Sequence, residues 1–497
     1  MFERSDRRSE ELLHSMEVPP LPAADEPYCL CVDLDGSLVK TDTLWESVWY
    51  AIRSTPWEFL RACLTLLDGR AAFKRRLAQI APIHVQQLPY RDELVAWLAA
   101  QARSGRKVIL ATAATQLIAQ RVAEHLAFFT DVVGSDGKTN CKGAAKLSAI
   151  QRIAPAYVYV GDSKADLPIW KSSKAAIMIG GKRKIRRTLK NLGVPILLEI
   201  PAGPPLYQQL ARALRIQQWT KNILVFLPMF LGHRLTTYEA WKHGLLAFTA
   251  FCVVSSIVYV LNDLLDLDAD RLHPVKRNRP FASGNLSIRT GLIILPILSI
   301  VAAGLIINLH PMAGFWLSVY FAAGGLYSLY LKTRLLVDSV ALSMLYVLRI
   351  LTGGAATEIT ISPWTLGFSL FLFFSVALVK RFGELKALPS SSATPKRRAY
   401  AAGDLPVVAG LGITSGVLSV VVFALYIGSP DVRMNYCSPS WLWLACPVAL
   451  YWVGRLWILA NRDAIGEDPM VFIFRDRISY LSGACILGIW LAASICW

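Results

Sequence analysis

The sequence predicts an α/β domain followed by an all-α domain that spans a membrane several times. The chain has 497 residues, of which 54% are hydrophobic, and these are unevenly distributed. Residues 1–210 have the composition of an ordinary soluble protein, whereas long apolar stretches dominate from about residue 215 onward. In the first part, short apolar segments alternate with helix-like segments, which is typical of a doubly wound parallel sheet.

Four strands are predicted in the N-terminal part, each apolar or β-branched and followed by a polar turn. They cover residues 28–34, 107–112, 157–162 and 175–179. This pattern predicts a Rossmann-like domain over residues 28–200 after an N-terminal tail (1–27), with its site at the carboxyl ends of the strands. Trp, Leu and Arg at helical spacing predict an inserted helical cap near residues 42–95. The nearby prolines predict a linker over residues 201–212; they are Pro195, Pro201, Pro204 and Pro205.

The membrane domain is predicted over residues 213–497, where nine apolar runs are long enough, within an error of one, to cross a bilayer core of about 30 Å. They lie near residues 213–232, 242–262, 288–309, 312–331, 335–354, 363–380, 405–427, 440–460 and 479–497. Loops after even-numbered runs hold Arg271, Lys276, Arg277, Arg279, Lys332, Arg334, Lys380, Arg381, Lys386, Lys396, Arg397, Arg398, Arg462, Arg475 and Arg477. The opposite loops hold little beyond Arg234 and Arg433. The positive-inside rule therefore predicts a multi-pass cell (inner) membrane protein, with the N-terminal domain and active sites cytosolic and the C-terminus outside.

The net charge of +17 is compatible with nucleic acid, anionic lipid or an acidic substrate as a partner. Because the cations cluster in short loops between apolar runs, membrane lipids are expected and nucleic acid is not. The nine cysteines include no CxxC pair, and most lie in apolar segments. We expect them to be reduced packing residues. The first eight residues lack the apolar core of a signal peptide, which agrees with a cytosolic N-terminal domain.

An acidic stripe follows the second apolar run. On a helix, Asp263, Asp266 and Asp270 fall at i, i+3 and i+7, and Asn262 shares a face with Asp266 and Asp270. Carboxylates at the mouth of a membrane helix are costly, so such a cluster indicates function. Oxygen ligands along one stripe suit Mg²⁺, which commonly bridges to substrate phosphates. With a basic loop directly after it, the stripe predicts a diphosphate site at a membrane surface.

Polar residues also end the predicted strands of the N-terminal domain. Asp33 and Asp35 follow the first strand and Thr112 ends the second, while Asp162 and Asp166 follow a later one. One carboxylate of the first pair can serve as nucleophile and metal ligand, and its neighbour as general acid/base. Together with a lysine at Lys142, the set resembles the haloacid dehalogenase superfamily of phosphatases over about residues 28–200.

That resemblance implies roles for individual residues. Asp33 would be the nucleophile, forming an aspartyl-phosphate, and Asp35 the acid/base. Thr112 and Lys142 would bind phosphate, with Lys146 as an alternative to Lys142. Asp33 and Asp162 would hold Mg²⁺ with support from Asp166. A degenerate domain kept only for packing is disfavoured, because every expected residue type is present.

The acidic stripe and the apolar runs resemble the UbiA-type superfamily of intramembrane transferases over about residues 210–497. The resemblance implies that Mg²⁺ and aspartates hold a diphosphate leaving group near the cytosolic face. Aromatic prenyltransferases of this superfamily carry a second acidic pair after span six. Here that region reads VKRFGEL (379–385), with Glu384 among cations. This departure favours a site for an additional phosphate.

Four segments resemble the decaprenyl-phosphate phosphoribosyltransferase branch of this superfamily: NDLLDLDADRLHPVKRNRP, YSLYLKTRLLVDS, LRILTGG and KRFGEL. The resemblance implies transfer of 5-phosphoribosyl from phosphoribosyl diphosphate to a polyprenyl phosphate, and the phosphatase domain would then remove the 5-phosphate. Asn262, Asp263, Asp266 and Asp270 are assigned to Mg²⁺–diphosphate, with Asp263 and Asp266 as the catalytic pair. The other substrate-binding candidates are Arg271, Lys276, Arg279, Lys332, Lys380, Arg381 and Glu384. Asp338 and Arg349 would orient the ribose or a phosphate, or pair with each other.

Two alternatives remain open. An aromatic prenyltransferase using polyprenyl diphosphate is disfavoured by the missing acidic pair. A lipid-sugar transporter is disfavoured because nearly all ionisable residues lie at span ends rather than near the midplane. The acceptor chain length and assembly into a homo-oligomer are left open.

Overall fold

The computed structural model describes residues 28–494 apart from Lys138, residues 388–399, Asp431, residues 433–435 and Glu467. These residues form two compact units. The first holds the described residues up to Ala213 together with Asp263–Ile294, and the second holds Leu214–Asn262 and the residues from Leu295 on. The predicted tail (1–27) and the loop cations Lys396, Arg397, Arg398 and Arg433 lie outside the described residues.

A six-stranded sheet forms the centre of the first unit. Its strands are β1 (Cys29–Val32), β2 (Val108–Thr115), β3 (Asp131–Ser135), β4 (Tyr157–Gly161), β5 (Ala175–Ile179) and β6 (Ile196–Ile200). Their spatial order is β3-β2-β1-β4-β5-β6, and all pairs are parallel. This confirms the predicted α/β fold. The strand order reverses at β1, and doubly wound sheets bind ligands beside such a point.

Two of the six strands, β3 and β6, were not predicted. β3 is short and only partly apolar, and β6 follows Pro195, one of the prolines that predict a linker. The Pro195 carbonyl nevertheless accepts a hydrogen bond from Ala176 N at 2.8 Å, so the proline contributes to the sheet through its oxygen. The sheet is covered on both sides, because Leu30 and Val32 belong to one buried cluster and Cys31 to another.

Four α-helices lie between β1 and β2, and the first three are α1 (Thr43–Ser54), α2 (Pro56–Leu64) and α3 (Arg70–Ile80). Asp42 caps α1, because its side chain accepts a hydrogen bond from Leu44 N. The later helices, before and within the rest of the sheet, are α4 (Asp92–Arg103), α5 (Gln116–Leu126), α6 (Ala144–Ile153), α7 (Leu167–Lys171), α8 (Arg183–Asn191) and α9 (Leu206–Ala213).

The remaining helices follow in chain order. They are α10 (Leu227–Leu231), α11 (Tyr238–Leu265), α12 (Leu267–Leu272), α13 (Ile288–Ile307), α14 (Pro311–Leu329), α15 (Val337–Thr357), α16 (Pro363–Lys386), α17 (Leu405–Ile427), α18 (Ala445–Asn461), α19 (Pro469–Ile473) and α20 (Arg477–Ser494). The end of α11, all of α12 and the start of α13 belong to the first unit.

Eight helical segments among the described residues are long and apolar enough to cross a membrane, one fewer than predicted. They are Tyr238–Leu265, Ile288–Ile307, Pro311–Leu329, Val337–Thr357, Pro363–Lys386, Ala402–Ile427, Pro439–Asn461 and Arg477–Ser494. The first predicted run is broken into a 3₁₀ helix (Ile216–Phe226) and the short α10. Arg215 stands before it at φ 52, and Pro228 at the start of α10 has no N–H to continue a helical ladder.

The cysteine prediction is wrong at one position. Cys437 is disulfide-bonded, whereas seven others are free. Cys437 lies in the connection between α17 and α18 rather than inside an apolar helix, so its side chain does not pack within a span.

Candidate functional site

The carboxyl ends of β1 and β4 bring three carboxylates together. Asp33, Asp162 and Asp166 each offer an oxygen, and these oxygens lie within 4.8 Å of one another. Asp33 and Asp166 are buried. Ser163 fixes Asp166, because its N and Oγ donate to Asp166 Oδ2 at 3.0 and 2.8 Å. Such a set of hard oxygen donors fits Mg²⁺.

The loop after β1 depends on a glycine. Gly36 has φ +77, and a Cβ there would lie 2.9 Å from Asp162 Oδ2. Arg91 holds the same loop, because its guanidinium donates to the Ser37 and Gly36 carbonyls at 3.0 and 3.3 Å. The turn that follows Asp33 can therefore approach Asp162 only because residue 36 has no side chain.

Lys146 is the lysine beside the predicted nucleophile. Its Nζ lies 2.8 Å from Asp33 Oδ1 and 3.8 Å from Asp166 Oδ1, and it donates to the Tyr159 hydroxyl at 3.0 Å. Lys142, which the sequence favoured, is exposed on the turn before α6. The structure thus places the alternative lysine at the acidic cluster, because Lys146 lies in the first turn of α6 and Lys142 precedes the helix.

Burial raises the pKa of the Asp33 and Asp35 carboxyl groups. Desolvation raises the pKa of Asp33 to about 6, against the opposing charge of Lys146. Desolvation and the charge of Asp42 raise the pKa of Asp35 to about 7, while Thr43 N donates to Asp35 Oδ1 at 2.8 Å. A carboxyl with that pKa can carry a proton at neutral pH, as a general acid must.

Thr112 is buried and lies within β2 rather than at its end. Pairing between β2 and β3 is regular as far as Ala111 and shifts before Thr115. The Thr112 hydroxyl accepts a hydrogen bond from Ala114 N at 3.0 Å. The strand is therefore longer than predicted, and its irregular stretch begins at Thr112.

Lys74 on α3 reaches the same edge of the sheet, which the sequence did not predict. Its Nζ donates to Ala113 O at 2.8 Å and to Asn140 Oδ1 at 3.3 Å. Burial lowers the pKa of its ammonium group, against the charges of Asp35 and Asp42. Nothing in the sequence distinguishes Lys74 from the arginines next to it, because only its side-chain direction brings it to β2.

The acidic stripe after the second apolar run is interrupted in the structure. Helix α11 ends at Leu265 and α12 begins at Leu267, with Asp266 between them at φ −91 and ψ 7. The prediction of one continuous helical stripe is therefore wrong at Asp266. At this break, side chains of α1 bind the last carbonyls of α11, and both partners belong to the first unit.

Arg279 forms ion pairs with the first and the last aspartate of the stripe. Its Nη1 lies 3.1 Å from Asp263 Oδ1 and 2.6 Å from Asp270 Oδ2. Both carboxylates are buried, and burial raises the pKa of Asp270 although Arg279 lowers it. Two carboxylates that converge on one cation form a donor set that fits Mg²⁺. Asn262, Asp266 and Lys276 are half-buried nearby in the chain.

Arg271, a predicted substrate ligand, is held by α1 of the first unit. Its guanidinium forms a two-pronged ion pair with Glu46 of α1 and donates to Ala282 O at 3.4 Å. Only 7% of the Arg271 side chain and 6% of the Glu46 side chain are exposed. As placed, Arg271 is enclosed rather than open to a phosphate.

In the second unit, Arg381 is fully enclosed by partners. It forms ion pairs with Asp338 and Glu384 and donates to the Tyr327 hydroxyl at 3.0 Å. Tyr400 in turn donates to Asp338 Oδ1 at 2.7 Å. Asp338 therefore pairs with Arg381 and not with Arg349. Lys332 and Lys380 are half-buried in a 3₁₀ helix and on α16.

Arg349 lies among aromatic rings. It donates to Asn222 Oδ1 at 2.9 Å and to the Tyr320 hydroxyl at 3.1 Å, and its guanidinium carbon is 4.9 Å from the Tyr320 ring centre. Asn222 and its neighbour Lys221, which pairs with Asp468 at 2.6 Å, were missed by the sequence reasoning. A lysine inside an apolar run was the available signal, because such a charge is costly there.

Comparison with known proteins agrees with both halves of the chain. Residues 224–477 match the UbiA prenyltransferase family, and residues 30–171 match the haloacid dehalogenase-like hydrolases. The chain belongs to the UbiA prenyltransferase family and carries a haloacid dehalogenase-like hydrolase domain in its N-terminal part. It is a multi-pass membrane protein, and both predicted resemblances are confirmed.

Several relatives are similar to this chain. "Uncharacterized protein y4nM" of Sinorhizobium fredii is 34% identical over 97% of this chain and 94% of its own length. Nodulation protein NoeC of Azorhizobium caulinodans is 33% identical over 56% of this chain and 89% of its own length. Decaprenyl-phosphate phosphoribosyltransferase of Mycolicibacterium smegmatis is 27% identical over 56% of this chain and 90% of its own length. Among solved structures, a UbiA homolog from Archaeoglobus fulgidus bound to DMAPP and Mg²⁺ has 15% identity and a TM-score of 0.44, and covers 56% of this chain and 98% of that one.

Proposed function

We propose that the chain transfers 5-phosphoribosyl from phosphoribosyl diphosphate to a polyprenyl phosphate of the decaprenyl type. We further propose that its hydrolase domain removes the 5-phosphate, which gives polyprenyl-phosphoryl ribose. The observation that carries the proposal is the presence of two acidic sites in one chain, at Asp263 and Asp270 and at Asp33, Asp162 and Asp166. A donor with a diphosphate at one end and a monophosphate at the other would use the first site for transfer, and removal of the monophosphate from the product would use the second. Similarity to a protein named decaprenyl-phosphate phosphoribosyltransferase supports it.

The transfer step breaks the bond between ribose C1 and the diphosphate oxygen, and a lipid phosphate oxygen forms the new bond to C1. The lipid phosphate is already anionic, so no strong general base is needed. Catalysis is then mainly positioning and charge stabilisation. Mg²⁺, when bound, neutralises the leaving diphosphate. In this proposal Asn262, Asp263, Asp266 and Asp270 would hold it, and Lys276, Arg279, Lys332 and Lys380 would bind the phosphates.

The hydrolysis step begins with attack of an Asp33 oxygen on the 5-phosphorus. The bond between phosphorus and the ribose 5-oxygen breaks, and Asp35 gives that oxygen its proton. Water then cleaves the aspartyl-phosphate and releases inorganic phosphate, with Asp35 as the base. Lys146 and Thr112 bind the phosphoryl oxygens. Asp33, Asp162 and Asp166 would hold Mg²⁺, and the ion would neutralise charge on the phosphoryl group.

We place both active sites on the cytosolic side of the cell membrane and the C-terminus outside. The distribution of loop cations supports this orientation. The disulfide at Cys437 agrees with it, because the connection after α17 then lies outside, where disulfides persist.

Purified full-length protein in bilayer nanodiscs tests the proposal with doubly labelled phosphoribosyl diphosphate and decaprenyl phosphate. The donor carries ¹⁴C in the ribose and ³²P at the 5-phosphate. We expect ¹⁴C in the lipid fraction and ³²P as free phosphate. No lipid-linked ¹⁴C contradicts the transferase, and lipid that keeps its ³²P contradicts the hydrolase assignment. Transfer of a prenyl group to an aromatic acid would favour the alternative.

A comparison of two lysines tests the geometry of the hydrolase site. We expect Lys146→Met to lower release of the 5-phosphate by about 10²-fold or more, because it removes a charge that stabilises the phosphoryl group. The same substitution at Lys142 is the matched control, and we expect it to change the rate less than about threefold, because this lysine is exposed. Initial rates of ³²P release measure both. A larger loss at Lys142 would contradict the arrangement.

A further inference from the structure

Helix α1 of the hydrolase domain contacts the acidic segment that begins at Asp263. Trp49 Nε1 donates to Leu264 O at 2.9 Å, and Arg53 Nη1 donates to Leu265 O at 2.9 Å. These are the last carbonyls of α11, which have no partner within a helix that ends there. Two side chains from α1 therefore complete the end of α11 immediately before Asp266.

Ion pairs continue the same contact beyond the break. Glu46 binds Arg271 through both carboxylate oxygens in a buried setting. Arg53 also lies 3.5 Å from Asp268, but that pair is about one-third exposed and adds little. Glu46, Trp49 and Arg53 are spaced i, i+3 and i+7, so they form one stripe along α1. One face of α1 thus holds both sides of the break at Asp266.

Apolar contacts and a close backbone approach add to the contact between the hydrolase domain and the acidic segment. Leu292 packs with the buried cluster that contains Val48 and Ala51 of α1. Gly284, at φ +72, comes so close to Lys40 that a Cβ there would lie 2.7 Å from the Lys40 Cβ. The segment from Asp263 to the start of α13 is therefore built into the hydrolase unit.

None of these contacts serves the proposed phosphatase chemistry. Asp33, Asp35 and Lys146 lie at strand ends, and the stripe on α1 binds backbone carbonyls and side chains of the acidic segment instead. We infer that Glu46, Trp49 and Arg53 are positioning residues of the transferase. They fix the break at Asp266 and so hold the carboxylates of Asp263 and Asp270 in the arrangement in which both contact Arg279. This inference rests on the proposed transfer reaction. It makes the hydrolase fold necessary for transfer even when its own chemistry is disabled.

Three full-length variants test the inference: Trp49→Phe, which removes the indole N–H, Glu46→Gln, which removes the charge, and the control Trp57→Phe. Trp57 lies on α2 and is 78% exposed. We expect Trp49→Phe and Glu46→Gln to raise the KM for phosphoribosyl diphosphate and the Mg²⁺ concentration for half-maximal transfer by about tenfold, since small misplacements of a site are costly. Trp57→Phe should match wild type. Hydrolysis of p-nitrophenyl phosphate should stay within about twofold in all three, since none touches the strand-end site.

Hydrogen exchange supplies a measurement that needs no substrate. We expect amides of residues 262–282 to exchange about tenfold faster in Trp49→Phe and Glu46→Gln, with residues 108–115 unchanged. The exchange result is decisive even if wild type transfers nothing, so failure of the proposed function and failure of this inference are distinguishable. Unchanged exchange at 262–282 in both variants would overturn the inference, whatever the transfer activity.

A charge exchange separates positioning from direct substrate binding. The double variant Glu46→Arg with Arg271→Glu restores the ion pair in reverse, and we expect it to recover the KM and the exchange rates lost in Glu46→Gln. If Arg271 bound the donor directly, the double variant would stay as impaired as a variant without the pair, and that result would count against a positioning role.

Discussion

Replacing Asp263 by asparagine is expected to lower transfer of ribose label to lipid by roughly 10²–10³-fold. Asp263 is buried and shares Arg279 with Asp270, so asparagine keeps the shape of the side chain but removes one of two converging negative charges. Lipid-linked ¹⁴C in initial-rate assays at several Mg²⁺ concentrations measures the loss. Excess Mg²⁺ should recover only part of the rate, because loss of the charge both weakens Mg²⁺ binding and displaces the bound ion.

Asp268→Asn is the matched control for this prediction. Asp268 lies in the same segment, but its ion pair with Arg53 is about one-third exposed, and such pairs contribute little. We expect less than about a threefold change in transfer. Equal losses in Asp263→Asn and Asp268→Asn would show that the segment tolerates no substitution and would remove the case for a specific role of Asp263.

In Asp33→Asn, the lipid product is expected to keep its 5-phosphate. Loss of the nucleophile should slow release of ³²P by at least about 10³-fold, because the remaining residues cannot form the covalent intermediate. Transfer of ¹⁴C to lipid should continue at the wild-type rate, so the doubly labelled lipid accumulates. Mass spectrometry of the extracted lipid distinguishes phosphoribosyl from ribosyl product directly.

Asp131→Asn, on the exposed start of β3, serves as the control because it changes the charge of the same domain away from the acidic cluster. Its product should be dephosphorylated as in wild type. If Asp33→Asn gave the same lipid as wild type, another enzyme or another site would have to remove the phosphate, and the hydrolase assignment would be wrong.

Features that depend on neighbouring residues could be predicted from the sequence. Asp33 and Asp162 were placed correctly at strand ends, because a buried strand followed by a polar turn is a local pattern. Lys146 was harder to choose over Lys142, since the choice depends on where α6 begins. The broken first run could have been anticipated from Pro228, which cannot continue a helical ladder.

Features that depend on distant residues could not be predicted. The last carbonyls before the break at Asp266 are bound by Trp49 and Arg53, which are 215 and 212 residues away in the sequence. The pairing of Arg381 with Asp338 also joins residues far apart in the sequence. Hydrophobic periodicity describes each helix by itself and does not show which residues of two helices meet. The spacing of the aspartates identified the acidic stripe, but the distances between their carboxylates depend on long-range contacts.

The stripe on α1 limits which phosphatase domains could replace the hydrolase domain of this protein. A chimera that replaced the hydrolase domain with another phosphatase would lose the donors to Leu264 O and Leu265 O and the partner of Arg271. Such a chimera needs a matching helix grafted with the new domain, although a phosphatase reaction has no use for one. The two domains of this fusion are therefore not independent modules, since part of the transferase segment is bound by side chains of the hydrolase domain.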